Sequence, residues 1–500
     1  MAGPLPAPRP RQPRAPLPGT GSAGGRCPPR GRRRPAPAPE AQGRAGDLAC
    51  LRPPPGRQAA PGWPAAGRGL LGGARPRRRR RPGAAPARPG PIGRSYRLGY
   101  NRFVKLDRLQ LVNFRNFRRL ELPFSAGAHL LVGDNAQGKT NLLEAIYLLS
   151  TLRAFRAESD AQLVNHDAQA EGFPAARVAA EVTTAAGPLR LEAVVSLREG
   201  PSGPLATKTV RVNGVPRRLS DAVGLFLAVL FTVQDLELLE GPPALRRRYL
   251  DTLLGQVDRE YLLARQRLEK VLLQRNHLLR RLRERSARPE ELEFWDEVLA
   301  QDAATLVWAR ARAVEELQAL AAAAHASLAG GADSLGIVYR PRLGGEGAAA
   351  LGSSRADLAE AFLRDLRGQL PHDVAQGATT LGPHRDDLEF RLGGRPAAGY
   401  ASRAQQRSIA LALRLAEASL LRARRGEMPV LLLDDVLSEM DSSRRGRVLA
   451  AIAEYEQVLV TSADVDAFPA GFLARARLYL VAGGEVTPAL DAAGARTGES

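Results

Sequence analysis

From Leu106 onward the apolar positions fall into short alternating runs. Leu109 and Leu111 alternate with polar neighbours, and Leu120, Leu122 and Phe124 do so again after Asn113-Phe114-Arg115-Asn116, which predicts two strands joined by a turn. Leu130-Leu131-Val132 then runs into a Gly-rich loop and a helix whose Leu142, Leu143, Ile146 and Leu149 share one face. Arg190 to Leu197 and Lys208 to Val212 read as strands, with Asn213-Gly214 marking a hairpin turn. Over residues 244–329 the period changes. Leu250, Leu254, Val257, Tyr261, Ala264, Leu268 and Val271 follow alternating steps of four and three, a coiled-coil seam that meets Arg275 and resumes at Leu278 and Leu282. Pro289 breaks this helix, and an Ala-rich second one continues to Gly330-Gly331. At 1.5 Å per residue each arm is roughly 60 Å long, a short antiparallel hairpin.

Strand-like patterning returns at Asp387 to Leu392, followed by a Gly393-Gly394 turn. A helix opens at Ser402 with Ile409, Leu413, Ala416 and Leu420 on one face. Val430 to Leu433 is a continuous apolar run, as expected of a strand covered on both faces in a parallel sheet, and Val458 to Val460 resembles its neighbour. The predicted class is α/β, in two lobes, with an inserted helical, short coiled-coil-like domain. The predicted boundaries are a leader over 1–103, one lobe over 104–220, the helical arm over 221–370, the second lobe over 371–485 and a tail over 486–500.

Composition changes the picture at the N-terminus. Residues 1–100 hold 22 of the 38 prolines and 21 arginines against Glu40 and Asp47, whereas the remaining four hundred residues carry 51 bases and 50 acids. The basic character of the whole chain therefore belongs to the leader and is no evidence for nucleic-acid binding by the folded part. The leader cannot bury enough apolar surface to offset chain entropy and is expected to be disordered. It reads either as a basic arm or as upstream sequence translated ahead of a native start at Val104. Both cysteines, Cys27 and Cys50, lie in it, which excludes a disulfide framework, a Cys-ligated metal and thiol catalysis from the rest. No apolar run approaches the roughly 20 residues that span a bilayer, and a cytoplasmic location is expected.

The chemistry centres on Gly133-Asp134-Asn135-Ala136-Gln137-Gly138-Lys139-Thr140, which fits G-x-x-x-x-G-K-[ST] between a predicted strand and a predicted helix. Such glycines let backbone N–H groups converge on phosphate oxygens at a helix N-terminus. Lys139 would neutralise the β- and γ-phosphates, and the Thr140 hydroxyl would ligate Mg²⁺. Only four lysines occur against 68 arginines, so a lysine at this position answers a need for a compact cation. Asp434-Asp435 ends the apolar strand, where Asp434 would serve the metal and Asp435 would polarise the attacking water. Taken alone, two acids after a strand are an ordinary cap. Ser402-Arg403-Ala404-Gln405 opens a helix with a serine N-cap, and such a start either binds a phosphate or simply caps.

Together these segments resemble the RecF family, bacterial DNA gap-repair proteins within the ABC-type ATPases of chromosome maintenance and recombination. The resemblance runs from Lys105 to about Ala482. It includes Leu109-x-Leu111-x-Asn113-Phe114-Arg115-Asn116, Gly138 to Tyr147, Asp235-Leu236-x-Leu238, Gly382-Pro383-His384-Arg385-Asp386-Asp387 and Leu433 to Asp441. It implies that Gly133 to Thr140 form the ATP loop, with Lys139 and Asp435 catalytic and Asp434 the magnesium aspartate. Ser402 to Gln405 would meet the partner copy's γ-phosphate in trans, and Ser438 and Asp441 would lie on the dimer-interface loop. Arg153 and Arg156 match a basic family segment after the first helix. It further implies ATP and Mg²⁺ as cofactors, an ATP-dependent homodimer, slow DNA-dependent hydrolysis, binding to single-stranded, gapped or junction DNA, and RecR and RecO as partners in loading RecA.

Three departures accompany it. Ala404 stands where the signature usually has glycine, Thr461-Ser462 replaces the usual histidine switch, and Gln234 lies near the expected lobe-linking metal loop. Arg246, Arg247, Arg280 and Arg281 give the arm a basic character and are the expected DNA contacts; a solvated charged face is the plainer reading. The competing function is the nucleotide-binding subunit of an ABC transporter, which normally lacks an eighty-residue helical insertion. A long-armed chromosome organiser would need arms of hundreds of residues.

Overall fold

The computed structural model describes residues 104–157, 159–200, 203–329, 333–438 and 440–489. Expectations for the leader over 1–103 lie outside the described residues.

Two sheets sandwich the first long helix. One is antiparallel and built from local sequence, in the order Phe117–Pro123, Lys105–Phe114, Ala175–Thr184, Gly187–Gly200, Gly203–Val212 and Val215–Arg217. The other has the order Glu485–Pro488, Ala476–Ala482, Gly127–Val132, Gln457–Ser462, Val430–Asp434 and Ala228–Thr232, parallel except for its antiparallel Glu485–Pro488 edge. The runs Val430–Leu433 and Val458–Val460 are apolar without interruption because both faces of the sheet are covered. Leu131, Leu230, Leu432 and Leu459 point to the helix Lys139–Thr151 and the antiparallel sheet. Leu130, Phe231, Leu431, Leu433 and Val460 point to the opposite side, where the helix Arg403–Arg425 buries Ile409, Leu413, Ala416 and Leu420.

The predicted boundaries are displaced by this sheet. Residues 228–232, assigned to the arm, form the sheet edge beside Val430–Asp434, and Glu485–Pro488 carries the sheet three residues into the predicted tail. Leu335–Arg340, also assigned to the arm, pairs with Asp387–Leu392 in a small third sheet.

The arm departs from a two-helix hairpin. The seam is divided at Asp258, which ends Pro243–Val257 and caps Arg259–Arg283 through a 2.9 Å bond from the Tyr261 N–H. The returning helix Glu293–Ala329 has 37 residues, about 55 Å, against about 38 Å for its 25-residue partner. A third helix, Arg355–Gln376, inserts Phe362 and Leu366 against Tyr261, Leu268, Ala303 and Leu306. The far half of Glu293–Ala329 leaves the arm altogether. Its Val314, Leu317, Ala321 and Leu328 pack in the head core that holds Arg403–Arg425. Arg275, which interrupts the seam, is fully buried and ties three elements together, with Nε 2.6 Å from Asp296 and Nη1 2.7 Å from Asp373 and 2.8 Å from Thr379. Among the described residues no helix is long and apolar enough to cross a membrane.

Candidate functional site

The parallel register sets the site. Strand Gly127–Val132 ends in the Gly-rich loop, Val430–Asp434 lies one strand away, and Gln457–Ser462 runs between them, so all three chain turns emerge on one sheet edge. Two glycines of the loop are obligatory. A Cβ on Gly133 would stand 2.1 Å from the Val481 carbonyl oxygen. Gly138 has φ +116°, and a Cβ there would meet the Asn116 carboxamide at 2.6 Å. The loop is tied down from outside: Asn116 Nδ2 donates to the Gln137 carbonyl at 2.9 Å, the Gly484 N–H donates to the same oxygen at 3.2 Å, and the Gly483 N–H donates to Gln137 Oε1 at 2.7 Å.

At the start of Lys139–Thr151, Lys139 turns back over the loop and donates Nζ to the carbonyls of Gly133 and Asp134, the latter at 2.8 Å. Burial holds its pKa below the usual lysine value, against the opposing pull of Asp435, Asp434 and Asp134. Thr140 Oγ1 donates to the two oxygens of Asp434 at 2.7 and 2.9 Å, and Thr461 Oγ1 donates to Asp434 Oδ1 at 3.0 Å. Asp434 is 5 % exposed. Burial raises its carboxyl pKa, while the hydroxyls of Thr140 and Thr461 and the charge of Arg156 act the other way. Asp435 adopts φ 55°, with its N–H donated to Thr461 Oγ1 at 3.0 Å, and its carboxylate and carbonyl accept from Ser438.

These groups face a cleft of about 350 Å³ that Asn135, Arg156 and Gln234 also line. A glycine loop at a helix start, an ammonium and a hydroxyl–carboxylate pair suit a polyphosphate. The pair also suits a hard divalent cation, which takes oxygen ligands of this kind and would neutralise the buried Asp434. The sequence-predicted ATP loop, Asp434, Asp435 and Gln234 are therefore brought together. Ser402, Arg403, Ala404 and Gln405 do not line this cleft. Ser402 caps its helix, accepting from the Gln405 N–H at 3.3 Å while Gln405 Oε1 accepts from the Ser402 N–H at 2.9 Å. Ala404 and Asp441 border a separate cavity of about 120 Å³, and Asp441 caps the helix Ser442–Ile452.

Residues 105–477 match the family model described as RecF/RecN/SMC N terminal domain. A "DNA replication and repair protein RecF" of Chloroflexus aurantiacus is 46% identical over 390 residues, which cover 76% of this chain and 98% of that protein. The chain belongs to the RecF family. The protein of that description in Lactobacillus acidophilus is 35% identical over 384 residues, 76% of this chain and 98% of its own. A solved structure described as the "recombination mediator protein RecF-ATP in RecFOR pathway" superposes with a TM-score of 0.69 at 30% identity, covering 79% of this chain and all of that one.

The RecF string Gly382 to Asp387 is a joint between arm and head. Asp386 accepts from Arg310 Nη1 at 2.8 Å, from the Arg342 N–H at 2.8 Å and from the Tyr339 hydroxyl. Arg310, 2 % exposed, also donates to Asp251 at 2.7 Å and the Pro383 carbonyl at 2.7 Å. This joint overturns one expected DNA contact, Arg246, and engages another, Arg247. Arg246 is buried and gives Nε and Nη2 to Asp387 at 2.6 and 3.1 Å and Nη1 to the carbonyls of Gly241 at 2.7 Å and Leu238 at 3.2 Å, so four of its five N–H groups are spent within the fold. Arg247 is half-buried and donates to the Asp386 carbonyl at 2.8 Å. Arg280 is exposed, and Arg281 donates to the Ser286 carbonyl at 2.7 Å.

Sequence reasoning gave three site residues no role. Thr461 entered only as the absence of a histidine, and Asn116 and Glu144 only as members of the strings that resemble the family; Glu144, fully buried, holds Arg115 Nε at 2.8 Å and Nη2 at 3.0 Å beside the loop.

Proposed function

We propose that this chain is an ATP-driven DNA clamp of recombinational gap repair. ATP binds at Gly133 to Thr140 with Mg²⁺ held by Thr140 and Asp434, Lys139 contacts the β- and γ-phosphates, and Asp435 orients the attacking water. Gln234, which lines the same cleft, would be a further ligand to the metal. Mg²⁺ supplies positive charge at the phosphates when bound. Two copies close head to tail on two nucleotides, each giving Ser402 to Gln405 and the loop bearing Ser438 and Asp441 to the other's nucleotide. The observation that supports the dimer is that Ser402 to Gln405 do not line the triphosphate cleft of their own chain.

Hydrolysis is slow and DNA-dependent, and resets the clamp. DNA, as single strands, gaps or duplex–single-strand junctions, is held in the ATP-closed state, with RecR and RecO as the partners that help load RecA in the cytoplasm. Arg280 and Arg281 contribute to the DNA surface, so affinity falls steeply with salt. Analytical ultracentrifugation with ATP and gapped DNA tests this. The native chain should form ATP-dependent dimers, Lys139→Met and Ser402→Arg should remain monomeric, and only Ser402→Arg should retain ATP binding. Unchanged dimerisation in both variants refutes the shared-nucleotide clamp.

A further inference from the structure

Behind the triphosphate cleft lies a larger cavity of about 540 Å³ that no step above uses. Its apolar lining includes the rings of Tyr147, Phe155 and Tyr249, and its polar lining includes Arg153, Arg156 and Arg248. We propose that it is a second ligand site, for a phosphate ester carrying a sugar or base, with Arg153 and Arg248 as the phosphate-binding pair.

The charge balance points to an anion. Arg153 is half-buried, yet among the described residues it forms no ion pair and its guanidinium donates no hydrogen bond. Burial lowers its pKa and the neighbouring guanidiniums of Arg265 and Arg248 add to that, only partly offset by Asp251 and Glu269. Arg248 spends one donor on the Ala154 carbonyl at 2.6 Å and has no carboxylate partner. Of the two acids that line the cavity, Asp235 is clamped by Arg414 through contacts of 2.6 and 3.2 Å, and the exposed Glu237 forms no ion pair with either arginine among the described residues. Two guanidiniums held close together, one of them half-buried, repel each other, and a phosphate bridging them relieves that repulsion through charge-assisted hydrogen bonds.

Size and lining narrow the ligand. The volume is within the range of small-molecule pockets, and ring faces beside a guanidinium pair fit a base or sugar attached to the phosphate better than a bare ion. Arg156 and Gln234 line both this cavity and the triphosphate cleft, so the two adjoin each other.

The site stands independently of the clamp reading, and one titration separates the two. Binding of 5′-phosphorylated dithymidylate, thymidine monophosphate and inorganic phosphate is measured by calorimetry on the full chain, alongside ATP. The native chain should bind an ester more tightly than inorganic phosphate. Monophosphate equal to the dinucleotide identifies a free nucleotide as the source, and binding of the dinucleotide alone identifies a strand end. Arg153→Gln, which breaks no ion pair, should weaken the ester at least threefold, and Arg153→Gln with Arg248→Gln at least tenfold, with ATP affinity within threefold of native. Arg153→Lys should restore most of the affinity. Lys139→Met should abolish ATP binding and leave the ester within twofold. No ester binding, native-like binding by Arg153→Gln, or loss of the ester in Lys139→Met overturns the proposal; ATP binding that survives Lys139→Met overturns the nucleotide site instead.

Discussion

Asp434→Asn separates the site's function from its effect on the fold. The Asp434 carboxylate is buried, and desolvation outweighs the hydroxyls of Thr140 and Thr461 and the charge of Arg156, so its pKa is raised. A raised carboxyl contributes stability that is complete below the unfolded value and lost as pH rises through the folded one. The native protein therefore carries a penalty at neutral and alkaline pH. The amide has no such step. It keeps an acceptor for one hydroxyl and offers the other a donor, so the unliganded variant should gain on native as pH rises through the folded pKa and lie within about 1 kcal/mol of it at pH 7. With ATP and Mg²⁺ at about a hundred times Kd, the native chain gains about 2.7 kcal/mol. For a folded unit of roughly four hundred residues that is about 3 °C in Tm. The variant should lose most of that shift, in a thermal melt with nucleotide and Mg²⁺ against one with chelator. A variant that melts several degrees lower when empty, yet retains the full nucleotide shift, refutes both the burial argument and the metal assignment.

Arg246→Ala should cost about 2 kcal/mol of stability, by denaturant titration, because it strips the half-exposed Asp387 of its partner, while the salt dependence of DNA binding stays native. Arg280→Ala should do the reverse, reducing the magnitude of the salt slope by about one with no change in melting. Arg310→Met leaves the carboxylates of Asp251 and Asp386 without their shared cation and should cost about 3–5 kcal/mol, read as a lower denaturation midpoint. Gly133→Ala should lose ATP affinity at least tenfold in calorimetry, since the new methyl and the Val481 carbonyl cannot occupy the same space unless the loop moves.

The catalytic strands and both long helices flanking them were legible because their patterns are local. An uninterrupted apolar run reads as a strand buried on two faces, and Ile409, Leu413, Ala416 and Leu420 share a helical face whatever lies beneath them. The loop was legible because glycine and lysine at fixed spacing have few other uses. Periodicity was misleading where one pattern serves two partners. The seam from Leu250 to Val271 crosses the cap at Asp258 without a change of step, so two helices looked like one. Residues 228–232 looked like the approach to the arm because nothing nearby in sequence shows that their partner is Val430–Asp434. Arg246 was misread for the same reason: a run of three arginines advertises charge, and its neutralising carboxylate lies 141 residues further on.

The order of strands has a consequence for synthesis. The antiparallel sheet closes within residues 105–217, so it can form as soon as that segment leaves the ribosome. Gly127–Val132, embedded in the same stretch, pairs only with Gln457–Ser462 and Ala476–Ala482. It waits for about 330 further residues, roughly 17 to 66 s at ordinary translation rates, with Leu130 and Val132 bare on their outer face. A nascent chain released early would therefore present two unpaired edges around an apolar strand, and would aggregate where a protein with sequential lobes would leave a soluble half.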